Sequence, residues 1–514
     1  MRHGVMTLAW ACVLSTIVFT QSPDEEVARR QLDSGRAFAR QGNYTEALKD
    51  FRAVADTHPN SSVADNALLE IARYYIDVAG DTVQAAAAVD AIVKKYATSD
   101  SAPDAYLLAG RLALARSHQS ADLDSALANF ERVFRLFPSS GAVPRSLTLV
   151  GETMWYARRY DDARANLSRT IAEFPTNATA AEAYLTLGKV LLALGEPALA
   201  MEEMQQVRNR WPNTPAAATA LVRTSLLHRL YIRARGGPAW ALSADTIGPV
   251  KLQNVVGLAW SGKDALFSAA ETGVSVLTSG ATERPQAVVK PRGLTVDLAG
   301  QVVAFDAGAL RPPTGVALTL AVPQSGGTPK ALSNLQAATQ LSNGDWLVAD
   351  SSDRVLQRFS STGTHVGTFG AGRITRLAST ETDTVAGLDK DAKSVVVFDG
   401  AGTLTARIPL KAIGYDLEEA EDVTFDAFGH LYVLSRTSIA VFSPYPAAPA
   451  GAAAPTATPA APAAARAGAY RLLTVFAPPQ NDPAGFRRAT SFVVDPSGAV
   501  YLYDDRAERV MVYR

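Results

Sequence analysis

Cysteine is the scarcest residue of this 514-residue chain, and its near absence excludes several kinds of catalytic and metal site. The single cysteine, Cys12, lies in the first apolar run. The rest of the chain can therefore form no disulfide, no thiolate metal site and no cysteine nucleophile. The chain also has no excess of either charge, because its 49 Lys and Arg residues nearly balance its 50 Asp and Glu residues and leave a net charge of -1. General attraction to nucleic acid or anionic lipid is therefore not expected.

Long apolar runs are missing too, apart from one at the N-terminus. Val5 to Thr20 form an apolar run of 16 residues, which Gln21 and a group of acidic residues follow. This length is short for a membrane-spanning helix and typical of a signal peptide. We predict that residues 1–22 are a signal peptide that exports the chain, with an uncleaved anchor as the alternative. No later segment is predicted to span a membrane.

A spaced pattern of small residues and proline organises the first half of the chain. Glycine, alanine and proline recur twelve residues apart in three triplets: Gly35, Ala47, Pro59; Gly151, Ala163, Pro175; and Gly188, Ala200, Pro212. Aligned on the first position, five units contain Gly35, Ala72, Gly110, Gly151 and Gly188. Such a glycine allows a second helix to cross closely, and a proline ends that second helix. The side chains predicted to cover the crossing are Phe51, Phe130 and Leu167. We predict five helix pairs over residues 23–235, closed by a capping helix near residues 219–235.

This pattern resembles the tetratricopeptide repeat (TPR). Its aromatic-proline junctions, at residues 137–138, 174–175 and 211–212, are most similar to those of bacterial envelope proteins that carry the repeat, in the outer-membrane-assembly and Tol-Pal-coordinating families. The resemblance implies the periplasm or cell envelope of a bacterium, and protein or peptide partners bound along the face of the first helices. The binding residues that it implies on this face are Tyr74, Tyr106, Trp155 and Tyr184. The alternative is that these aromatic side chains pack between repeats.

The second half of the chain, residues 236–514, has the pattern of short strands. The period of its apolar residues is 2, and turns of the type Asp-x-x-Gly begin at Asp297, Asp426 and Asp495. Six such units resemble a six-bladed NHL-type β-propeller. Because the last unit lacks an outer strand, we predict that residues 239–245 or 250–253 pair with it and close the ring. Residues 444–468, rich in proline and alanine, are predicted to be a surface insertion.

Catalytic signatures are absent from the sequence. Propellers of this shape include lyases and lactonases, whose sites need histidines, or clustered Glu and Asn around calcium, at the channel mouth. The strand half has only His365 and His430, and His430, next to a turn glycine, is expected at the surface. No GxSxG, HExxH, CxxC or phosphate-loop motif occurs. Turn capping accounts for the repeated aspartates, so neither a metal nor a cofactor is predicted.

The sequence thus predicts a multidomain chain, in which an N-terminal all-α TPR solenoid is followed by an all-β six-bladed propeller. Its predicted function is that of a non-catalytic protein-protein interaction scaffold, with the TPR groove and the propeller face as binding surfaces. Two alternatives remain. A propeller lyase or lactonase-type hydrolase with a TPR docking module would have histidine, or Glu and Asn, converging in the channel. A structural cell-wall or surface protein would bind carbohydrate.

Overall fold

The computed structural model describes residues 23–244, 247, 251–278, 288, 290–324, 326–446, 470–478 and 485–514. The predicted signal peptide lies outside these residues, as does the predicted insertion beyond residue 446. By its internal contacts the chain divides into two compact units, Met1–Leu112 and Ala113–Arg514. None of the helices in the described ranges is long and apolar enough to cross a bilayer.

Helices form the described chain up to residue 236. They are α1 (Pro23–Arg40), α2 (Tyr44–Thr57), α3 (Ala64–Tyr74), α4 (Thr82–Lys95), α5 (Ala102–Arg116), α6 (Ser120–Leu136), α7 (Val143–Tyr156), α8 (Tyr160–Glu173), α9 (Thr179–Ala193), α10 (Pro197–Arg210), α11 (Pro215–His228) and the short α12 (Ala234–Gly236). Two π-helical turns, Tyr75–Ala79 and Arg229–Arg233, continue α3 and α11. The structure confirms the predicted all-α solenoid, and α2, α8 and α10 each end two residues before their proline.

The glycines of the first helices lie where the second helices cross. A Cβ atom on Gly35 would lie 2.6 Å from Cε1 of Phe51, and one on Gly151 would lie 2.5 Å from Cδ2 of Leu167. At Gly188 the nearest atom would be Cε of Met204, at 2.4 Å. These distances are shorter than any real contact, so the helix pairs pack this closely only because the Cβ is missing. The predicted role of the spaced glycines is confirmed at these three crossings.

Strands form the described chain from residue 255 onwards. They are β1 (Val255–Trp260), β2 (Leu266–Ala270), β3 (Gly273–Val276), β4 (Gly293–Val296), β5 (Val302–Phe305), β6 (Ala309–Arg311), β7 (Leu318–Thr319), β8 (Ala321–Val322), β9 (Lys330–Ala331), β10 (Leu335–Gln340), β11 (Trp346–Asp350), β12 (Val355–Phe359), β13 (His365–Ala371), β14 (Ile374–Ser379), β15 (Val385–Asp389), β16 (Ser394–Phe398), β17 (Leu404–Pro409), β18 (Lys411–Ala412), β19 (Tyr415–Asp416), β20 (Ala420–Phe425), β21 (Leu431–Ser435), β22 (Ile439–Ser443), β23 (Arg471–Phe476), β24 (Ala489–Val494), β25 (Val500–Asp504) and β26 (Arg509–Tyr513).

Six antiparallel sheets of these strands make the blades of a propeller. The blades, in chain order, are β1–β3, β4–β7, β10–β13, β14–β17, β20–β23 and β24–β26, and two short hairpins, β8–β9 and β18–β19, lie between blades. The innermost strands β1, β4, β10, β14, β20 and β24 contact one another in a closed ring. The predicted six-bladed fold is therefore confirmed. The predicted turn aspartates also behave as expected, because Asp297, Asp426 and Asp495 accept backbone N–H groups of their own turns.

The chain closes the ring with a segment that precedes the first blade. The backbone N–H of Ala241 donates to the carbonyl of Arg514 at 2.9 Å, and that of Ser243 donates to Val512 at 2.8 Å. Antiparallel bridges join Leu242 to Tyr513 and Ile247 to Val510. The pairing predicted for residues 239–245 is thus confirmed in its described part. It supplies the outer edge that the last blade lacks and covers backbone groups that would otherwise be unpaired.

Candidate functional site

The two faces of the propeller differ in what lies against them. Each innermost strand begins at one face and ends, at the turn to the second strand, at the opposite face. We call the first the mouth face and the second the turn face. Helices of the larger unit lie against part of the turn face: a Cβ on Gly498, in the turn of the last blade, would lie 2.6 Å from Cδ1 of Leu226. In addition, Nε1 of Trp240 donates to the carbonyl of Gly498 at 2.8 Å.

Apolar packing makes the helices and the turn face one core. A single cluster of buried side chains runs from Trp155 through Leu226 and Tyr231 to Phe428 and Tyr513. Trp240, 1% exposed, lies inside this cluster and contacts the rings of Tyr432 and Phe476. Burial of this kind is typical of a domain interior. The helices and the propeller are therefore held together by the same apolar packing that stabilises the core of a single domain.

A buried chain of hydrogen bonds crosses the same contact. His430 has no exposed surface, and its Nδ1 lies 2.8 Å from Oδ2 of Asp426. Its Nε2 lies 2.8 Å from the hydroxyl of Tyr231 on the second π-helical turn. Because a carboxylate only accepts, Nδ1 donates to it, and in the neutral imidazole Nε2 accepts from the tyrosine. The prediction that His430 lies at the surface is therefore wrong, since the helices bury the turn that carries it.

A charged group lies at another part of this contact. Nζ of Lys189 on α9 pairs with Oε1 of Glu381, in the turn between β14 and β15, at 2.6 Å. The same ammonium lies 4.6 Å from the ring centre of Trp155. Burial raises the pKa of Glu152 on α7, against the pull of Lys189. Burial also lowers the pKa of Arg223 on α11, against the carboxylates of Glu381 and Glu152. A largely buried lysine needs such a partner, because an unpaired ammonium would be costly at this position.

The mouth face carries a cavity at the start of the central channel. Its volume is about 350 Å³, and its walls come from the beginnings of all six innermost strands and the residues just before them. The lining residues are Val255, Val256, Pro291, Arg292, Leu335, Gln336, Arg376, Glu421 and Thr490. The wall is therefore partly apolar and partly polar or charged.

Ion pairs fix most of the charged side chains around this cavity. Glu421 accepts from Lys390 at 3.2 Å and from Arg436 at 3.1 Å. Arg376 lies 3.6 Å from Asp422, which also accepts from the backbone of Val423. Burial raises the pKa of Asp422, and Arg376 opposes that rise. Among the described residues, no group of three His, Cys, Asp or Glu side chains could hold a metal ion.

The two histidines of the strand half lie away from this cavity. His365 is on β13, the outer strand of its blade, where its Nε2 is 2.9 Å from Oε1 of Gln357. His430 is in the buried contact with the helices. The histidines that one form of the enzyme alternative requires at the channel mouth are therefore placed elsewhere, whereas Glu421 lines the cavity and Asn334 contacts Arg292 of its wall.

The four aromatic residues predicted to bind a peptide have different surroundings. Tyr74, half-buried, contacts Tyr44 with ring centres 5.4 Å apart, and also contacts Tyr75. Tyr106 is buried. Trp155 is buried beside Lys189.

Tyr184 is buried against Trp211, with ring centres 6.0 Å apart, and Arg210 lies over its ring. Of the four, Tyr74 keeps the most accessible ring, and the peptide-binding role of the set stays a prediction.

Sequence reasoning missed both the buried contact and the lining of the cavity. The hydroxyl of Tyr231 and His430 are 199 residues apart in the chain, and Lys189 and Glu381 are 192 apart. The cavity takes one or two residues from each blade, so no local motif marks it. The beginning of each predicted innermost strand was the only signal available, because those positions must meet at the channel.

Two family models match parts of the helical half. Residues 28–141 match the model of a family described as YfiO, outer membrane lipoprotein, and residues 154–223 match a tetratricopeptide-repeat model. A search of curated proteins found no match.

Among solved structures, the chain is similar to virginiamycin B lyase from Staphylococcus aureus, with 11% identity and a TM-score of 0.35 over 50% of this chain and 82% of that one. It is also similar to a thermophilic TPR protein in Thermus thermophilus, with 19% identity and a TM-score of 0.30 over 39% of this chain and 98% of that one. These likenesses are too distant to say anything about function. The chain therefore consists of tetratricopeptide repeats, similar in part to an outer membrane lipoprotein family, followed by a six-bladed β-propeller.

Proposed function

We propose that this protein is an exported, non-catalytic scaffold of the bacterial cell envelope, which binds envelope proteins or peptides through its repeats and through the mouth face of an NHL-like propeller. The observation that carries the proposal is the shared core between helices and turn face. A linker that only tethers two domains would not bury Trp240, Tyr231 and His430. Within the larger unit, a shared core holds the helices and the propeller at fixed positions, which is what a scaffold requires.

The envelope location rests on two features of the helical half. Its residues 28–141 match an outer membrane lipoprotein family, and the N-terminal apolar run has the length of a signal peptide. Repeat solenoids of helix pairs present extended surfaces that bind protein segments. The placement of His365 and His430 away from the channel mouth supports the scaffold over a propeller lyase or hydrolase that depends on histidine.

The binding surface proposed for the repeats is the aromatic group of Tyr74 and its neighbours Tyr44 and Tyr75. The three rings are half-buried and in contact, so each keeps an accessible edge while its position is fixed. Tyrosines held in this way offer large contact area at a low cost in conformational entropy.

A pull-down from the cross-linked envelope fraction of the source bacterium tests the proposal. The baits are the full chain, its Tyr74→Ala variant and a control, Leu136→Ala, which removes an exposed apolar side chain at the end of α6. We expect specific envelope proteins to be retained by the full chain and by the control, and at least tenfold less by Tyr74→Ala. Equal retention by all three baits would contradict the proposed surface, and retention of no protein by any bait would contradict the scaffold.

A further inference from the structure

The cavity at the channel mouth has an uneven balance of charge. Glu421, at its edge, is matched by two cations, since both Lys390 and Arg436 donate to it. Asp422 lies 3.6 Å from Arg376 and is otherwise held by hydrogen bonds from Val423, Ser491 and Phe492. The carboxylates that the protein places here are thus already satisfied.

Arg292 adds a further positive charge to the wall. Its Nη1 donates to the side-chain oxygen of Asn334, a neutral group. No carboxylate lies within ion-pair distance of Arg292 in the part of the chain that the structure describes. Counting Arg376, Lys390 and Arg436 as well, four cations stand against three carboxylates, Glu419, Glu421 and Asp422, at and around one cavity. A guanidinium that faces a cavity and has no anionic partner in the protein is well suited to bind an anionic group of a ligand.

The remaining wall supplies both apolar surface and an unused polar atom. Val255, Leu335 and Pro291 contribute apolar groups, and Thr490 has a buried hydroxyl oxygen without a hydrogen-bond partner. Such a buried hydroxyl is costly unless a ligand or water satisfies it. A volume of about 350 Å³ accommodates a small organic molecule or the last residues of a peptide.

We propose that the mouth cavity binds the carboxylate of a partly apolar ligand, either a small organic acid or the C-terminus of a peptide, with Arg292 and Arg376 donating to the carboxylate. Gln336 and Thr490 supply further hydrogen bonds, and the apolar wall holds the adjoining carbon atoms. This assignment rests on the proposed role of the mouth face as a binding surface, and it names the chemical class that the face accepts.

Equilibrium dialysis of the full chain with mass-spectrometric detection tests the proposal. The probes are a pool of random heptapeptides with free C-terminal carboxylates, the same pool with amidated C-termini, and a panel of aliphatic and aromatic carboxylic acids beside their primary amides. We expect carboxylates to be retained from the peptide pool or the acid panel, and which of the two is retained identifies the source. Their amides should be retained at least tenfold less, because a neutral amide cannot accept the charge-assisted hydrogen bonds that arginine donates to a carboxylate.

Arginine variants locate the site. Arg292→Gln should lower retention at least tenfold, while Arg376→Lys, which keeps the charge beside Asp422, should lower it less than Arg376→Gln does. The control is Arg373→Gln, because Arg373 is exposed, pairs with Asp391 at 3.3 Å and does not line the cavity. Melting temperatures of all variants show whether they are folded.

Two outcomes would overturn the assignment: no probe is retained, or amidation and Arg292→Gln leave retention unchanged. Neither outcome would alter the pull-down by the repeats, which the Tyr74→Ala bait measures separately.

Discussion

Removing one oxygen atom from Tyr231 tests whether the helices and the propeller share a core. The Tyr231 side chain is 6% exposed, and His430, its partner at 2.8 Å, is not exposed at all. Tyr231→Phe keeps the ring in place and leaves Nε2 of His430 in the interior without its donor. The hydroxyl of Tyr231 also lies 3.4 Å from Oγ of Ser443, a longer contact than the one to His430. A buried acceptor left unsatisfied costs about 1–3 kcal/mol.

The shift in melting temperature follows from the size of the folded unit. The unit Ala113–Arg514 has roughly 400 residues, and globular proteins unfold with an entropy of about 2.1 cal/mol/K per residue. The unfolding entropy is therefore about 0.8 kcal/mol/K. A loss of about 1–3 kcal/mol then lowers the melting temperature by about 1–4 °C if helices and propeller unfold together.

Differential scanning calorimetry of the full chain measures this shift. Tyr44→Phe is the matched control, because it removes the same atom from a half-buried ring in the smaller unit, where a change within about 0.5 kcal/mol is expected. The transition that contains the propeller should move to lower temperature in Tyr231→Phe and stay in place in Tyr44→Phe. An unchanged propeller transition in Tyr231→Phe would refute the shared core as a source of stability.

Alkaline pH gives a second, independent test of the same residue. Burial raises the pKa of Tyr231 to about 12, whereas the unfolded chain has the ordinary value near 10. The stability that the buried phenol contributes is fully present below pH 10 and is lost as the pH rises through 12. Phenylalanine does not titrate, so the difference in melting temperature between the wild-type chain and Tyr231→Phe should narrow above pH 10. A difference that is the same at pH 8 and pH 11 would contradict a buried, protonated Tyr231.

Two further predictions concern the smaller unit. Gly35→Ala should destabilise it by up to about 2 kcal/mol in urea unfolding, because overpacking against Phe51 costs about 1–3 kcal/mol and the gain in helix propensity offsets about 1 kcal/mol. Adding Phe51→Leu should recover part of the loss, and a stabilised single variant would contradict the close crossing. Hydrogen bonds from the side chain and backbone of Ser62 lower the pKa of Glu25 to about 2, so Ser62→Ala should raise that pKa in an NMR titration. The stability that Glu25 contributes is present above pH 4.5 and lost towards pH 2, and an unchanged titration in Ser62→Ala would rule out this cause.

The elements that local chemistry determines could be predicted from the sequence. A glycine that must admit Phe51 at a crossing recurs at a fixed spacing, and an aspartate that must accept the N–H groups of its own turn, such as Asp426, is followed by glycine three residues later. Even the closure of the ring could be predicted, because a last blade ending at Tyr513 leaves an outer edge that some other segment has to cover.

The position of His430 could not be predicted, because its burial depends on a surface that another part of the chain supplies. Its local sequence, a turn glycine followed by a strand, is that of an exposed turn. Only the packing of Tyr231 against that turn converts it into a buried position. The mouth cavity was unpredictable for a related reason. Arg292 and Arg376 are 84 positions apart in the numbering and come together only because the blades form a closed ring.

The shared core also determines how this protein has to be studied. Composition and periodicity change near residue 236, but the division found from internal contacts falls within α5, at residues 112 and 113. Cutting the chain where the helices end would expose Leu226, Leu230 and Tyr231, which are at most 6% exposed in the intact protein. Apolar patches exposed in this way bind other proteins without specificity and promote aggregation. A partner retained by the isolated helices would therefore not distinguish a real binding surface from a broken core, and substitutions in the full chain are the sounder test.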